Sequence, residues 1–289
     1  MFPGATDHRT NGSTGAGDAA DSGDANFVVV GAPLDVSTTF QPGTRFGPRR
    51  IRTFAESFDD YDRRTNHHFS DLGVTDYGDV RAWDDAAEYL DYLAGTLRDV
   101  VWDDAIPLTI GGEHTVSLAG ARAVEPDVVV SIDAHLDLRE EYDGNPLSHA
   151  SVMRRILEDV DSVEELIVVG GRTGSNAEWE RAAESDVTVI PPADISTWTV
   201  PDSLAEQAVY LSVDIDAADP AYAPGTGTME PFGLTPRELR AVVREVAPHA
   251  AGFDVVEVND RDDGQAATLA GKLLREFVFA SAATDDRTR

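Results

Sequence analysis

From Asn26 onward the chain alternates short apolar runs with longer amphipathic stretches. The short runs lie at 27–33, 74–80, 106–112, 127–133, 166–171, 187–190, 208–214 and 252–258. Most are unbroken and β-branched, as in FVVVGAP, DVVVSID and AVYLSVD. Such runs suit strands buried on both faces of a parallel sheet, since a half-exposed strand would alternate apolar with polar positions. Helix spacing fills the intervals near 47–58, 84–102, 115–124, 148–158, 175–185, 235–247 and 264–281. Thr235-Pro236 with Glu238 in the first turn is a helix start: a hydroxyl cap, a proline where no N–H is needed, and a reciprocal carboxylate. Strand–helix alternation throughout predicts a single α/β domain over residues 26–289 with a mainly parallel sheet. No internal repeat or linker divides residues 26–281. Residues 7–25 are rich in Gly, Ser, Asp and Ala with almost nothing to bury, so residues 1–25 are expected to form a flexible leader.

Composition narrows the chemistry. The 289 residues include no cysteine, which removes disulfides, thiolate nucleophiles and cysteine metal sites together. Any metal must be held by His, Asp or Glu. The formal charge is −30, from 53 acids against 23 bases, and Lys272 is the single lysine. A nucleic-acid partner is not expected, because phosphate binding needs a basic face. Acids spread through foldable segments, with bases nearly all arginine, resemble the proteins of salt-accumulating archaea and predict a halophilic surface. An acidic funnel for a cationic substrate is the alternative. No segment reaches the roughly 20 apolar residues of a membrane span, and no basic-then-apolar leader precedes the chain, so a cytoplasmic protein is expected.

In open α/β sheets ligands bind beyond the carboxyl ends of the strands. Four polar clusters follow strand candidates here: Gly111-Gly112-Glu113-His114, Asp133-Ala134-His135-Leu136-Asp137, Asp214-Ile215-Asp216 and Glu257-Val258-Asn259. Residues two apart share a face of an extended chain, so Asp133, His135 and Asp137 project together, as do Asp214 and Asp216. With His114 they make four carboxylates and two imidazoles, a donor set suited to hard divalent ions such as manganese, with zinc or iron left open. Four carboxylates are too much negative charge for one ion. A pair about 3.5 Å apart, sharing a water of lowered pKa, fits better. Singly, an Asp-x-Asp is more often a cap and a histidine after Gly-Gly a loop residue; three strand ends together are harder to explain that way.

These segments carry a resemblance. GGEHT, SIDAHLDLR and SVDIDAADP resemble the three signature motifs of the ureohydrolase family, which includes arginase, agmatinase, guanidino-acid hydrolases and formiminoglutamase. Phe40 to Pro48, Ser148-His149, Pro224 to Thr228 and Glu257-Val258-Asn259 resemble family segments in the same order, and together they cover residues 26–281. The resemblance implies a three-layer α/β/α fold with an eight-stranded parallel sheet, two manganese ions, and assembly as homotrimers or hexamers. It implies one ion held by His114, Asp133, Asp137 and Asp214, and the other by Asp133, His135, Asp214 and Asp216. Glu257 then receives the guanidinium, Thr228 steadies that carboxylate, His149 shuttles a proton to the departing amine, and Asp137 holds the nucleophile's proton. His149 and Thr228 also read as ordinary loop residues.

The segment Arg139 to His149 resembles that of agmatinases, archaeal ones above all, which points to agmatine and the release of urea and putrescine. Glu140 and Glu141 are candidates for the substrate's terminal ammonium, or else plain acidic surface. Arg139 pairs with one of them or grips a carboxylate. Met229 replaces a usual proline, Phe232 a usual glycine and Asp260 a usual proline. A guanidino-acid hydrolase, a formiminoglutamase and, in a different class, a non-catalytic metal-binding homologue are the alternatives.

Overall fold

The computed structural model of the chain describes residues 1–8 and 26–288. Its strands are β1 (Thr6–Asp7), β2 (Phe27–Ala32), β3 (Tyr61–Asp62), β4 (His67–His68), β5 (Val74–Asp79), β6 (Ile106–Gly111), β7 (Val128–Ile132), β8 (Glu165–Val169), β9 (Val187–Ile190), β10 (Val209–Asp214) and β11 (Ala250–Val256). The helices are α1 (Gly47–Ala55), α2 (Ala86–Trp102), α3 (Ser117–Val124), α4 (Val152–Asp159), α5 (Asn176–Arg181), α6 (Pro236–Val246) and α7 (Gln265–Thr288). β3 and β4 form a small antiparallel pair. The other nine strands make one sheet in the order β1-β5-β2-β6-β11-β10-β7-β8-β9, and every pairing in it is parallel.

The strand faces explain the layers. Phe27 and Val29 of β2 join a core built with α1, α6 and α7, while Val28 and Val30 join a second core with α2, α3 and α4. Alternate residues of one strand therefore feed opposite helical layers, as an uninterrupted apolar run requires. The start of α6 follows the sequence signal: Thr235 accepts from the Glu238 N–H, and Glu238 reaches back to the Thr235 N–H.

All eight expected strands are present, and β1 makes a ninth. It comes from residues assigned above to the leader, which corrects the expectation for residues 1–8. Phe2 is fully buried beside Phe69, with ring centroids 5.7 Å apart. The Phe2 N–H donates to Asp76, and Thr6–Asp7 pairs with Thr75–Asp76 of β5. An apolar anchor and an open strand edge outweigh the polar composition nearby, since one buried phenylalanine contributes about 2 kcal/mol. The expectation for residues 9–25 lies outside the described residues. Among those described, no helix is long and apolar enough to cross a membrane.

Four strands that end in the polar clusters are consecutive neighbours: β6, β11, β10 and β7. His114, Glu257, Asp214 and Asp133 therefore leave the same edge side by side.

Candidate active site

Each chemical residue sits where an apolar strand runs out. Asp133 follows β7, Asp214 closes β10, Glu257 follows β11, and His114 opens a single helical turn (His114–Val116) after β6. That turn needs Gly112, where any side chain would collide with the Leu34 carbonyl. The Nδ1 of His114 lies 3.2 Å from Asp133 Oδ2, 3.0 Å from Asp137 Oδ2 and 3.4 Å from Asp214 Oδ2. The Nδ1 of His135 lies 2.9 Å from Asp216 Oδ2 and 3.7 Å from Asp133 Oδ1. Two groups of metal-type donors result, His114–Asp133–Asp137 and Asp133–His135–Asp216, and Asp133 belongs to both. Asp214 adjoins the first group and accepts the Asp216 N–H, which joins it to the second. The structure thus brings all six predicted ligands together.

These donors fit divalent cations. His114 Nδ1 and Asp133 Oδ2 are buried, face one another, and have no hydrogen-bond partner. Burial and mutual repulsion push Asp214 well above the usual carboxylate range, and burial with the charge of Asp133 pushes Asp137 up to about 6. Burial alone would lower the histidines, but the carboxylates around them outweigh it, raising His114 well above its ordinary value and His135 to about 12. Excess negative charge that favours the protonated imidazoles also favours metal cations in their place.

Behind His114 stands a relay absent from the sequence reading. Asp254, fully buried, accepts from Ser212 Oγ and from Tyr210 Oη, each at 2.7 Å. A carboxylate only accepts, so the Ser212 proton points to Asp254 and its oxygen faces His114 Nε2 at 3.0 Å. The Nε2 proton is held there, so Nδ1 is the nitrogen that would give up its proton to a metal entering the carboxylate pocket. An aspartate inside the apolar run GFDVVEV was the available signal.

Glu257 Oε1 accepts from the His114 N–H at 2.8 Å and from His149 Nδ1 at 2.9 Å. Burial would lower His149, yet Glu257 raises it to about 9. The Thr39 N–H donates to His149 Nε2 at 3.1 Å, so that nitrogen presents a lone pair in this arrangement. Glu113, also missed, accepts from Val36 N–H, Ser37 N–H, Ser37 Oγ and Thr115 Oγ1 within 2.6–2.9 Å. Ser37 Oγ in turn receives the His149 N–H. Asp137 and Glu257 both have left-handed backbone, φ 52° and 62°, a strain of about 1–3 kcal/mol each that collects at working residues.

Other expectations fare differently. No hydrogen bond joins Thr228 to Glu257, and Thr228 Oγ1 is buried without a partner. Glu140 and Glu141 are exposed and stand apart from this cluster's contacts. Arg139 pairs with neither of them but with Glu178 at 3.3 Å, stacking on Tyr142. Met229 and Phe232 are exposed, and Phe232 sits at φ 64°, a backbone position that favours the glycine it replaces.

A family profile described as the arginase family matches residues 25–280. The chain is similar to an agmatinase of Bacillus subtilis (strain 168), 34% identical over 271 residues that cover 89% of this chain and 92% of the relative. It is also similar to the N(1)-aminopropylagmatine ureohydrolase of Thermococcus kodakarensis, 35% identical over 266 residues, 89% of this chain and 91% of that protein. The crystal structure of an agmatine ureohydrolase of Thermoplasma volcanium superposes with a TM-score of 0.85 at 32% identity, covering 92% of this chain and 93% of the other. A match spanning eight of the nine sheet strands, over a pocket of shared carboxylates and imidazoles, leads to one conclusion: the chain belongs to the arginase family and is an amidine-cleaving ureohydrolase.

Proposed function

We propose that residues 26–289 act as one domain that hydrolyses agmatine to urea and putrescine with two manganese ions. The observation that carries this reading is a pair of imidazole–carboxylate groups sharing Asp133, beside the anchored carboxylate Glu257. The ions would be held by His114, Asp133, His135, Asp137, Asp214 and Asp216, whose oxygen and imidazole donors suit manganese. Bound there, they supply Lewis acidity and make a hydroxide-strength nucleophile available near neutral pH.

The rest is work for the chain's own side chains. Glu257 Oε1 is engaged by two donors, which leaves Oε2 and the remaining lone pairs for a forked guanidinium contact. That contact orients the guanidinium carbon toward the carboxylate pocket. Asp137 is suited to hold the nucleophile's proton. His149 carries a proton on Nδ1 and takes up another at Nε2, where it must break with Thr39 N–H before delivering it to the departing amine. Agmatine is favoured over guanidino acids because Arg139, the arginine of the 139–149 segment that could grip a carboxylate, is committed to Glu178.

The test is urea release from agmatine before and after chelation. Activity is lost on chelation and returns best with manganese, and Glu257→Gln abolishes turnover on every guanidino substrate. Full activity in metal-free protein, or no urea from agmatine with manganese present, refutes the reading.

A further inference from the structure

Exposure in the carboxylate cluster rises toward its His135 end. The His114 and Asp133 side chains have no exposed surface, whereas His135 is 24% exposed and Glu230 beside it 32%. Glu230 Oε1 stands 4.0 Å from His135 Nε2, the ring edge turned away from Asp133 and Asp216. Its carboxylate accepts no hydrogen bond from the described residues. Glu257 touches the His114 end of the cluster and Glu230 faces the His135 end. Glu230 is thus the carboxylate at the more exposed end, opposite the one occupied by Glu257.

The main chain under Glu230 is held firmly. Arg172 donates to the carbonyls of Glu230 (2.7 Å), Pro231 (3.2 Å), Asp216 (2.9 Å), Ala217 (3.3 Å) and Gly170 (3.1 Å). A guanidinium has five N–H donors, and all five are used. They tie the Glu230 loop to the turn that carries Asp216. A carboxylate on an anchored backbone, about a third exposed and accepting no hydrogen bond from the described residues, is preorganised for an incoming cation.

We propose that Glu230 is the specificity-determining carboxylate, receiving the terminal ammonium of the substrate's tail; the proposal rests on the ureohydrolase reading above. The substrate class is then guanidino compounds ending in an amine, with guanidino acids rejected by like charge. Glu140 and Glu141 have no part in that selection.

The experiment compares Glu230→Gln and Glu230→Asp with the unmodified manganese-loaded enzyme, using agmatine and 4-guanidinobutyrate. Manganese binding to the metal-stripped proteins is followed by calorimetry, and circular dichroism checks folding. Glu230→Gln is expected to raise KM for agmatine about tenfold, the scale of one partly exposed charge-assisted hydrogen bond. It leaves kcat within about twofold, since the contact lies away from the reacting carbon. KM for 4-guanidinobutyrate stays level or falls, manganese affinity is unchanged, and Glu230→Asp recovers part of the agmatine preference. An unchanged substrate ratio in Glu230→Gln overturns the proposal. So does weaker manganese binding with both substrates slowed alike, which makes Glu230 a support for His135. If the unmodified enzyme releases no urea from any guanidino compound, the ureohydrolase reading fails first and takes this proposal with it.

Discussion

Replacing Asp254 with asparagine tests whether the buried relay sets the metal site. In the native chain the carboxylate takes protons from Ser212 and Tyr210, and the oriented serine then accepts from His114 Nε2. An asparagine presents an amide donor on one side. If that donor faces Ser212, the serine turns its own proton toward His114, and the imidazole must carry its proton on Nδ1 instead. The lone pair that a metal beside Asp133, Asp137 and Asp214 would take from Nδ1 is then lost. Disrupting an outer partner of a ligating histidine costs about 10–100-fold in metal affinity, or about 1.4–2.8 kcal/mol. The fold itself loses about 1–3 kcal/mol if one buried group is left unsatisfied. Manganese titration by calorimetry on chelator-stripped protein reads the first quantity, and urea unfolding of the metal-free form reads the second. The metal-free measurement matters, because a variant that merely loosens the core would weaken binding and folding together. Native-like manganese affinity in Asp254→Asn would show that Ser212 and Asp254 do not govern His114.

Three further outcomes follow from contacts outside the metal pocket. Arg52 is nearly buried and binds Asp76 through two nitrogens at 2.8 Å, with Asp79 also engaged, so Asp76→Asn should cost about 3–5 kcal/mol at pH 7 in urea unfolding. Burial alone would raise Asp76, but Arg52 holds it below the usual range. Its stabilisation is therefore present above the unfolded pKa of about 4 and lost as pH falls through the folded value, and a native–variant gap independent of pH below 4 would refute this. Phe2→Ala should lower unfolding free energy by about 2 kcal/mol, less than a central core truncation because the segment is terminal; an unchanged melting temperature would mean residues 1–8 add no stability. Glu140→Gln with Glu141→Gln should shift the agmatine to 4-guanidinobutyrate ratio by less than about twofold, as exposed charges are screened; a tenfold change would return the tail to that segment.

Much of the architecture was legible because its causes are local. Continuous β-branched runs are intelligible only as strands covered on both faces, and eight of nine sheet strands were recovered that way. The ninth was missed because two residues of β1 have no periodicity; their pairing depends on the free edge of β5 and on the pocket that takes Phe2. The six ligand candidates were legible because aspartates and histidines stand directly after apolar strand runs, although the backbone there is not extended throughout: Ile215–Ala217 is a single helical turn and Asp137 is left-handed. The place of Glu140 and Glu141, which are exposed, was not legible in this way: in an acidic chain, charge near a motif does not reveal which way a loop turns.

By itself the sequence determined the strand and helix inventory, the absence of thiol chemistry, the donor types and the family, all of which follow from residue identity and short-range spacing. Tertiary structure decided which donors share a pocket and which groups control them. Strand order makes β6, β11, β10 and β7 neighbours, so the His114 N–H meets Glu257 across a separation of 143 residues. It also sets Asp254 behind Ser212 and brings Arg172 under the Glu230 loop, 58 residues on. No periodicity encodes such contacts, because they arise from how a parallel sheet orders its strands.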